Sequence, residues 1–136
     1  MQYWDVMTLI EAPQLAGRRK TVLVVEDDPL VRSITSEMIR ELGYAVSEAP
    51  SAEAAMATQP GMEVDLLVAD LGLPGISGDL LAAELKTTLP ALGIVFVSGG
   101  GRLPMIGRDG QGPVMLQKPY GSIALATALR EAERRA

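Results

Sequence analysis

The sequence predicts an α/β protein of three layers, a parallel β-sheet covered by helices on both faces. Two observations carry that prediction. Short apolar, β-branched runs alternate along the chain with amphipathic helical patterns. The strongest runs are apolar on both faces, as strands buried at the centre of a parallel sheet are, and they end abruptly in acidic or glycine-rich turns.

Thr21–Val25 is the first such run and stops at Glu26-Asp27-Asp28-Pro29. Pro29–Leu42 then reads as a helix, with Ile34, Met38 and Leu42 recurring every fourth residue and Val31 and Ile39 widening the stripe. Pro29 suits a first helical turn and Gly43 suits the stop. Tyr44–Ala49 is a short second strand, and Ser51 opens a weak helix that ends before Pro60-Gly61. Val64–Ala69 is the third strand and stops at Asp70; Asp79–Leu89 is a helix introduced by Gly78 and closed by Pro90. Gly93–Val97 is the fourth strand, stopping at Ser98. From Gly99 to Gly112 there are six glycines and one proline, so the fourth helix expected there is short or irregular. Val114–Leu116 is a brief fifth strand, followed by a helix over Ser122–Arg135 with Ile123, Ala126, Leu129 and Ala132 as its apolar stripe.

The length, 136 residues, suits one domain, and 48% apolar against 21% charged residues suffices for a core. Residues 20–136 carry the alternating pattern. Residues 1–19 stand outside it as an extension, a tail or a short helix bearing Trp4, Met7 and Ile10 that packs on the domain or pairs two chains. The absence of cysteine excludes a disulfide scaffold and thiol catalysis, and the absence of histidine excludes a Ser-His-Asp triad and imidazole base chemistry. A net charge of −5 argues against nucleic acid and acidic membrane surfaces as partners. No apolar run approaches the roughly 20 residues that span a bilayer, and the start of the chain is unlike a secretion signal, so a soluble cytoplasmic domain is expected.

Ligands bind at the carboxyl ends of the strands in such sheets. Glu26 and Asp27 end the first strand, Asp70 the third and Ser98 the fourth, while Lys118 follows the fifth. Converging carboxylates need a cation, and an all-oxygen donor set selects a hard divalent ion, foremost Mg²⁺. With a hydroxyl and an ammonium added, the set can perform phosphoryl transfer onto a carboxylate, giving an aspartyl phosphate. Each residue has an ordinary reading by itself: a helix-start charge cluster, a turn aspartate, a loop serine, a solvated lysine. Their order at the ends of successive strands favours one joint site.

Val24-Val25-Glu26-Asp27-Asp28-Pro29, the run Asp65 to Gly75, Val97-Ser98-Gly99 and Gln117-Lys118-Pro119-Tyr120 together resemble the receiver domain of two-component response regulators, the chemotaxis type included. The resemblance covers roughly residues 20 to 135. It implies a five-stranded parallel sheet of order 2-1-3-4-5, flavodoxin-like; the order comes from the family. It implies that Asp70 is the phosphoacceptor and that Glu26 and Asp27 hold Mg²⁺, Asp27 directly, with Asp70 and the Gly72 backbone carbonyl. Ser98 matches the switch hydroxyl, Lys118 the phosphoryl-binding lysine, and Pro119 the proline of a cis peptide bond. Met115 stands where receivers commonly carry an aromatic switch residue, a departure partly similar to alphaproteobacterial single-domain regulators lacking that aromatic. Receivers fused to hybrid histidine kinases are similar as well.

The resemblance implies a signalling domain rather than a dedicated enzyme, one that supports its own phosphotransfer and dephosphorylation. Its partners would be a histidine kinase or histidine phosphotransfer protein and an unknown downstream protein. With no DNA-binding region after the last helix, output is expected through protein contact. The alternative is a pseudo-receiver, an interaction module that is not phosphorylated. An aspartate-nucleophile phosphatase would want a second acidic residue where Gly72 stands, and a flavin site would want a phosphate-cradling loop after the first strand.

Overall fold

A computed structural model of the chain describes residues 19–58, 63–100 and 112–136. The elements are β1 (Thr21–Val25), α1 (Pro29–Glu41), β2 (Ala45–Ala49), α2 (Ala52–Thr58), β3 (Leu66–Asp70), α3 (Gly78–Thr88), β4 (Gly93–Ser98), β5 (Val114–Gln117) and α4 (Ser122–Arg135). All strand pairs are parallel, in the order β2-β1-β3-β4-β5. The predicted class and the strand order implied by the resemblance are both found. The stretch expected to hold a short or irregular fourth helix falls largely on 101–111, outside the described residues, as does the extension through residue 18.

Strand alternation divides the core in two. Leu23, Val25, Leu67, Ala69, Ile94 and Phe96 point to one face, beneath Ala52 and Ala55 of α2 and Leu81, Ala82 and Leu85 of α3. Val22, Val24, Leu66, Val68, Val95 and Val97 point to the other, beneath Ile39 of α1 and Leu125, Ala128, Leu129 and Ala132 of α4. Every residue of β3 and β4 is buried, which is why these runs carry no polar alternation.

Two helical stripes hold in part and are corrected in part. On α1 the buried residues are Thr35, Ser36 and Ile39, while Ile34 is 51% exposed. Ile39 is buried as its spacing predicts, with Met38 and Leu42 packed against the same core, so the buried face extends to Thr35 and Ser36 and leaves out Ile34. Small side chains at Thr35 and Ser36 allow the close contact, and the Thr35 hydroxyl is satisfied by a tertiary partner, Tyr120. On α4 the buried positions are Leu125, Ala128, Leu129 and Ala132, and Ile123 is 83% exposed in the first turn. Boundaries shift by one or two residues elsewhere: Leu42 and Leu89 serve as C-caps, and the hydroxyl of Ser51 accepts from Ala54 N–H at 3.0 Å.

Candidate functional site

The three acidic residues after β1 have different duties. Asp28 is the N-cap of α1: its Oδ1 accepts from Leu30 N–H at 2.9 Å and Val31 N–H at 3.2 Å. Glu26 is buried, and its Oε2 accepts from Asp28 N–H at 3.1 Å. The Glu26 backbone is held on both sides, its N–H donating to Ala49 at 3.2 Å and its carbonyl accepting from Arg32 Nη1 at 2.7 Å. Asp27, between them, is exposed.

Asp70 ends β3 and is 9% exposed. Its Oδ1 accepts from Gly72 N–H at 2.8 Å, an Asx-type turn that sets its side-chain direction. Its Oδ2 accepts from Lys118 Nζ at 2.8 Å, and the same ammonium lies 3.2 Å from Glu26 Oε1. Lys118 is in turn anchored through its backbone N–H to the Ser98 carbonyl at 2.9 Å, which puts the end of β4 beside the end of β5. Ser98 is 7% exposed. The Lys118–Pro119 peptide bond is cis. Met115 is 40% exposed on β5.

One carboxylate oxygen each from Glu26, Asp27 and Asp70 lies within 4.8 Å of the others, a group able to hold a metal ion. Three hard oxygen donors, without nitrogen or sulfur, fit Mg²⁺. Burial is the main cause that pushes the Glu26 carboxyl above the usual range; the Asp70 charge adds to it, while Asp28 N–H and Lys118 oppose it. For Lys118, burial disfavours the ammonium, but the hydrogen bonds and charges of Asp70 and Glu26 outweigh it and hold the group above an ordinary lysine. Lys118 therefore keeps its proton and is a permanent cation against two carboxylates.

The structure brings Glu26, Asp27, Asp70, Gly72, Ser98 and Lys118 to the same end of the sheet. Three supporting residues were not singled out from the sequence. Arg32 holds the Glu26 carbonyl, and Thr35 meets the Tyr120 hydroxyl at 2.6 Å. Gly78 opens α3 so near the Asp70 backbone that an added Cβ would lie 2.5 Å from the Asp70 carbonyl oxygen. Glycine at a helix's first residue is the only local trace of that contact; nothing in the neighbouring sequence marks Arg32 or Thr35.

A family model described as the response regulator receiver domain matches residues 22–130. Among curated proteins, the sensor kinase CckA of Brucella abortus is 35% identical over 129 residues, 89% of this chain and 13% of the kinase. Nodulation protein W of Bradyrhizobium diazoefficiens is 33% identical over 123 residues, 88% of this chain and 54% of that protein. The chain thus spans well under two thirds of either relative. Among solved structures, a response regulator receiver protein from Sinorhizobium medicae superposes with a TM-score of 0.76 at 21% identity, over 87% of this chain and 98% of that one. The response regulator TrrA of Thermotoga maritima, solved in complex with Mg(2+)-BeF, gives 0.73 at 24% identity, over 83% and 98%.

Proposed function

The chain belongs to the response regulator receiver domain family of two-component signalling, and on that premise we propose that Asp70 is a phosphoacceptor working with Mg²⁺. The observation that carries this reading is the convergence of Lys118 Nζ on Asp70 Oδ2 at 2.8 Å beside the Glu26–Asp27–Asp70 oxygen cluster.

The donor is a phosphohistidine of a histidine kinase or histidine phosphotransfer protein. A carboxylate oxygen of Asp70 forms a bond to phosphorus as the P–N bond breaks, and that electron pair stays on the donor's imidazole nitrogen. Glu26, Asp27, Asp70 and the Gly72 carbonyl would hold Mg²⁺, which supplies charge neutralisation for the phosphoryl oxygens. Lys118 gives the phosphoryl group an ion pair in place of the one it now makes to Asp70, and the Ser98 hydroxyl donates to a phosphoryl oxygen. Contacts from Asp28 N–H and Lys118 fix the Glu26 carboxyl group in that cluster. Hydrolysis of the acyl phosphate at the same site returns the carboxylate. Phosphorylation then biases a two-state domain whose output is protein contact. Residues 20–136 form this domain in the cytoplasm and 1–19 an extension to it. Among the described residues no helix is long and apolar enough to cross a membrane.

The test is intact mass after incubation with acetyl phosphate and Mg²⁺. One added phosphoryl group is expected, absent in Asp70→Asn and absent without Mg²⁺. A phosphoryl group that persists in Asp70→Asn would sink the assignment. Failure with both acetyl phosphate and a phosphorylated histidine donor would favour the non-phosphorylated module.

A further inference from the structure

Resting on the reading of Lys118 as the phosphoryl-binding cation, we infer that Tyr120 and Thr35 form a clasp that positions Lys118. Tyr120 lies two residues beyond the lysine, and its hydroxyl is 2.6 Å from Thr35 Oγ1, across 85 positions of sequence. Thr35 is 2% exposed, on the face of α1 that packs against the sheet and α4. It belongs to the helix whose N-cap, Asp28, immediately follows Glu26 and Asp27. The segment from Lys118 to Tyr120 is therefore tied at both ends. At its start the Lys118 N–H is bonded to the Ser98 carbonyl of β4 at 2.9 Å. At its end the Tyr120 hydroxyl is bonded to α1. The Lys118 side chain reaches Asp70 and Glu26 from between these two anchors.

With Thr35 buried and Tyr120 half-buried, losing the phenol leaves the Thr35 hydroxyl short of a partner in a place water does not readily reach. A threonine within a helix can turn its hydroxyl to the carbonyl one turn back; here it faces the phenol of Tyr120 from the far side of the chain. Burial holds the Tyr120 phenol above its ordinary range, with the charges of Glu26 and Asp70 adding to that and Thr35 and Lys118 opposing it. The phenol stays neutral at physiological pH and available to the clasp. The clasp couples two things: where α1 and the acidic loop ahead of it sit, and where the ammonium points. Tyr120 and Thr35 touch no phosphoryl group. They are positioning residues, and their effect must run through Lys118.

The experiment uses the full chain and the variants Tyr120→Phe, Thr35→Val, the double variant, and Thr35→Ser as the conservative rescue. Two properties are read: the initial rate of phosphorylation by acetyl phosphate at saturating Mg²⁺, and the rate of amine acylation at Lys118 by peptide mass spectrometry, with Lys20 and Lys86 as internal references. Tyr120→Phe and Thr35→Val are each expected to slow phosphorylation about three- to tenfold, the effect of one hydrogen bond on a positioned group. Each should raise Lys118 acylation and leave the references unchanged. The double variant should be no worse than either single one, Thr35→Ser should match the wild type, and Tyr120→Phe should cost nothing more in a Lys118→Gln background. Wild-type acylation of Lys118 in Tyr120→Phe overturns the clasp, as do additive losses in the double variant or an undiminished loss without Lys118. If the wild-type chain accepts no phosphoryl group, the proposed function fails, and the acylation arm alone still decides the clasp: a rise in both variants upholds it and no rise rejects it.

Discussion

At the scale of single residues, the site depends on close contacts as much as on charges. Gly78 illustrates this. A Cβ there would stand 2.5 Å from the Asp70 carbonyl oxygen and 3.1 Å from its carbon, both backbone atoms that cannot swing aside. Gly78→Ala must push the start of α3 away from the end of β3, an overpacking strain of about 1–3 kcal/mol. Because the peptide displaced is that of Asp70, the same variant is expected to weaken Mg²⁺ binding. A urea midpoint and a Mg²⁺ titration on one sample check both effects, and an unchanged midpoint would remove the contact from the account. Gly100 is the contrast: among the described residues beyond its chain neighbours, no atom lies within 4 Å of a Cβ built there. Gly100→Ala should leave stability within about 0.5 kcal/mol.

The elements are joined at the opposite end of the sheet by a second polar tie. Tyr44, just before β2, donates its hydroxyl to Glu133 Oε1 of α4 at 2.5 Å, and Lys20 Nζ, just before β1, lies 3.0 Å from Glu133 Oε2. Burial, and then the hydrogen bond and charge of Glu133, push the Tyr44 phenol well above its ordinary range. The folded state thus holds the phenolic proton more tightly than the unfolded chain does. The stability this contributes is complete below the unfolded pKa near 10 and is lost as pH rises from there through the higher folded value. Tyr44→Phe should cost about 1.5 kcal/mol at neutral pH, the value of a hydrogen bond to a charged acceptor. Denaturant melts of both proteins from pH 7 to 11 check the sign: the gap between them should be constant to about pH 10 and narrow above it. A gap that widens there would contradict the assignment. Both ties fix helices of the same layer, Tyr44–Glu133 at the amino end of the sheet and Tyr120–Thr35 at the carboxyl end.

For the whole molecule, three carboxylates gathered around one point are tolerated with a single ammonium between two of them, so a divalent cation should stabilise the fold by mass action. At a hundredfold excess over its dissociation constant the gain is about 2.7 kcal/mol. A rise in melting temperature with Mg²⁺, lost in Asp27→Asn, is the expected result, and a wild-type melting temperature indifferent to Mg²⁺ would count against the metal site. The sheet was legible in the sequence because a strand buried on both faces leaves a local mark, an unbroken apolar run ended by a turn. The candidate site was legible for the same reason, since parallel strands deliver their last residues to one edge. The sequence by itself therefore determined the layer architecture and the ends at which Glu26, Asp27, Asp70, Ser98 and Lys118 stand. The tertiary structure alone decided that α1 buries Thr35 and Ser36 while Ile34 stays exposed, and which groups met Lys118. Those outcomes rest on packing and on contacts between residues 48 to 92 positions apart, where close packing overrides the preference of any single segment.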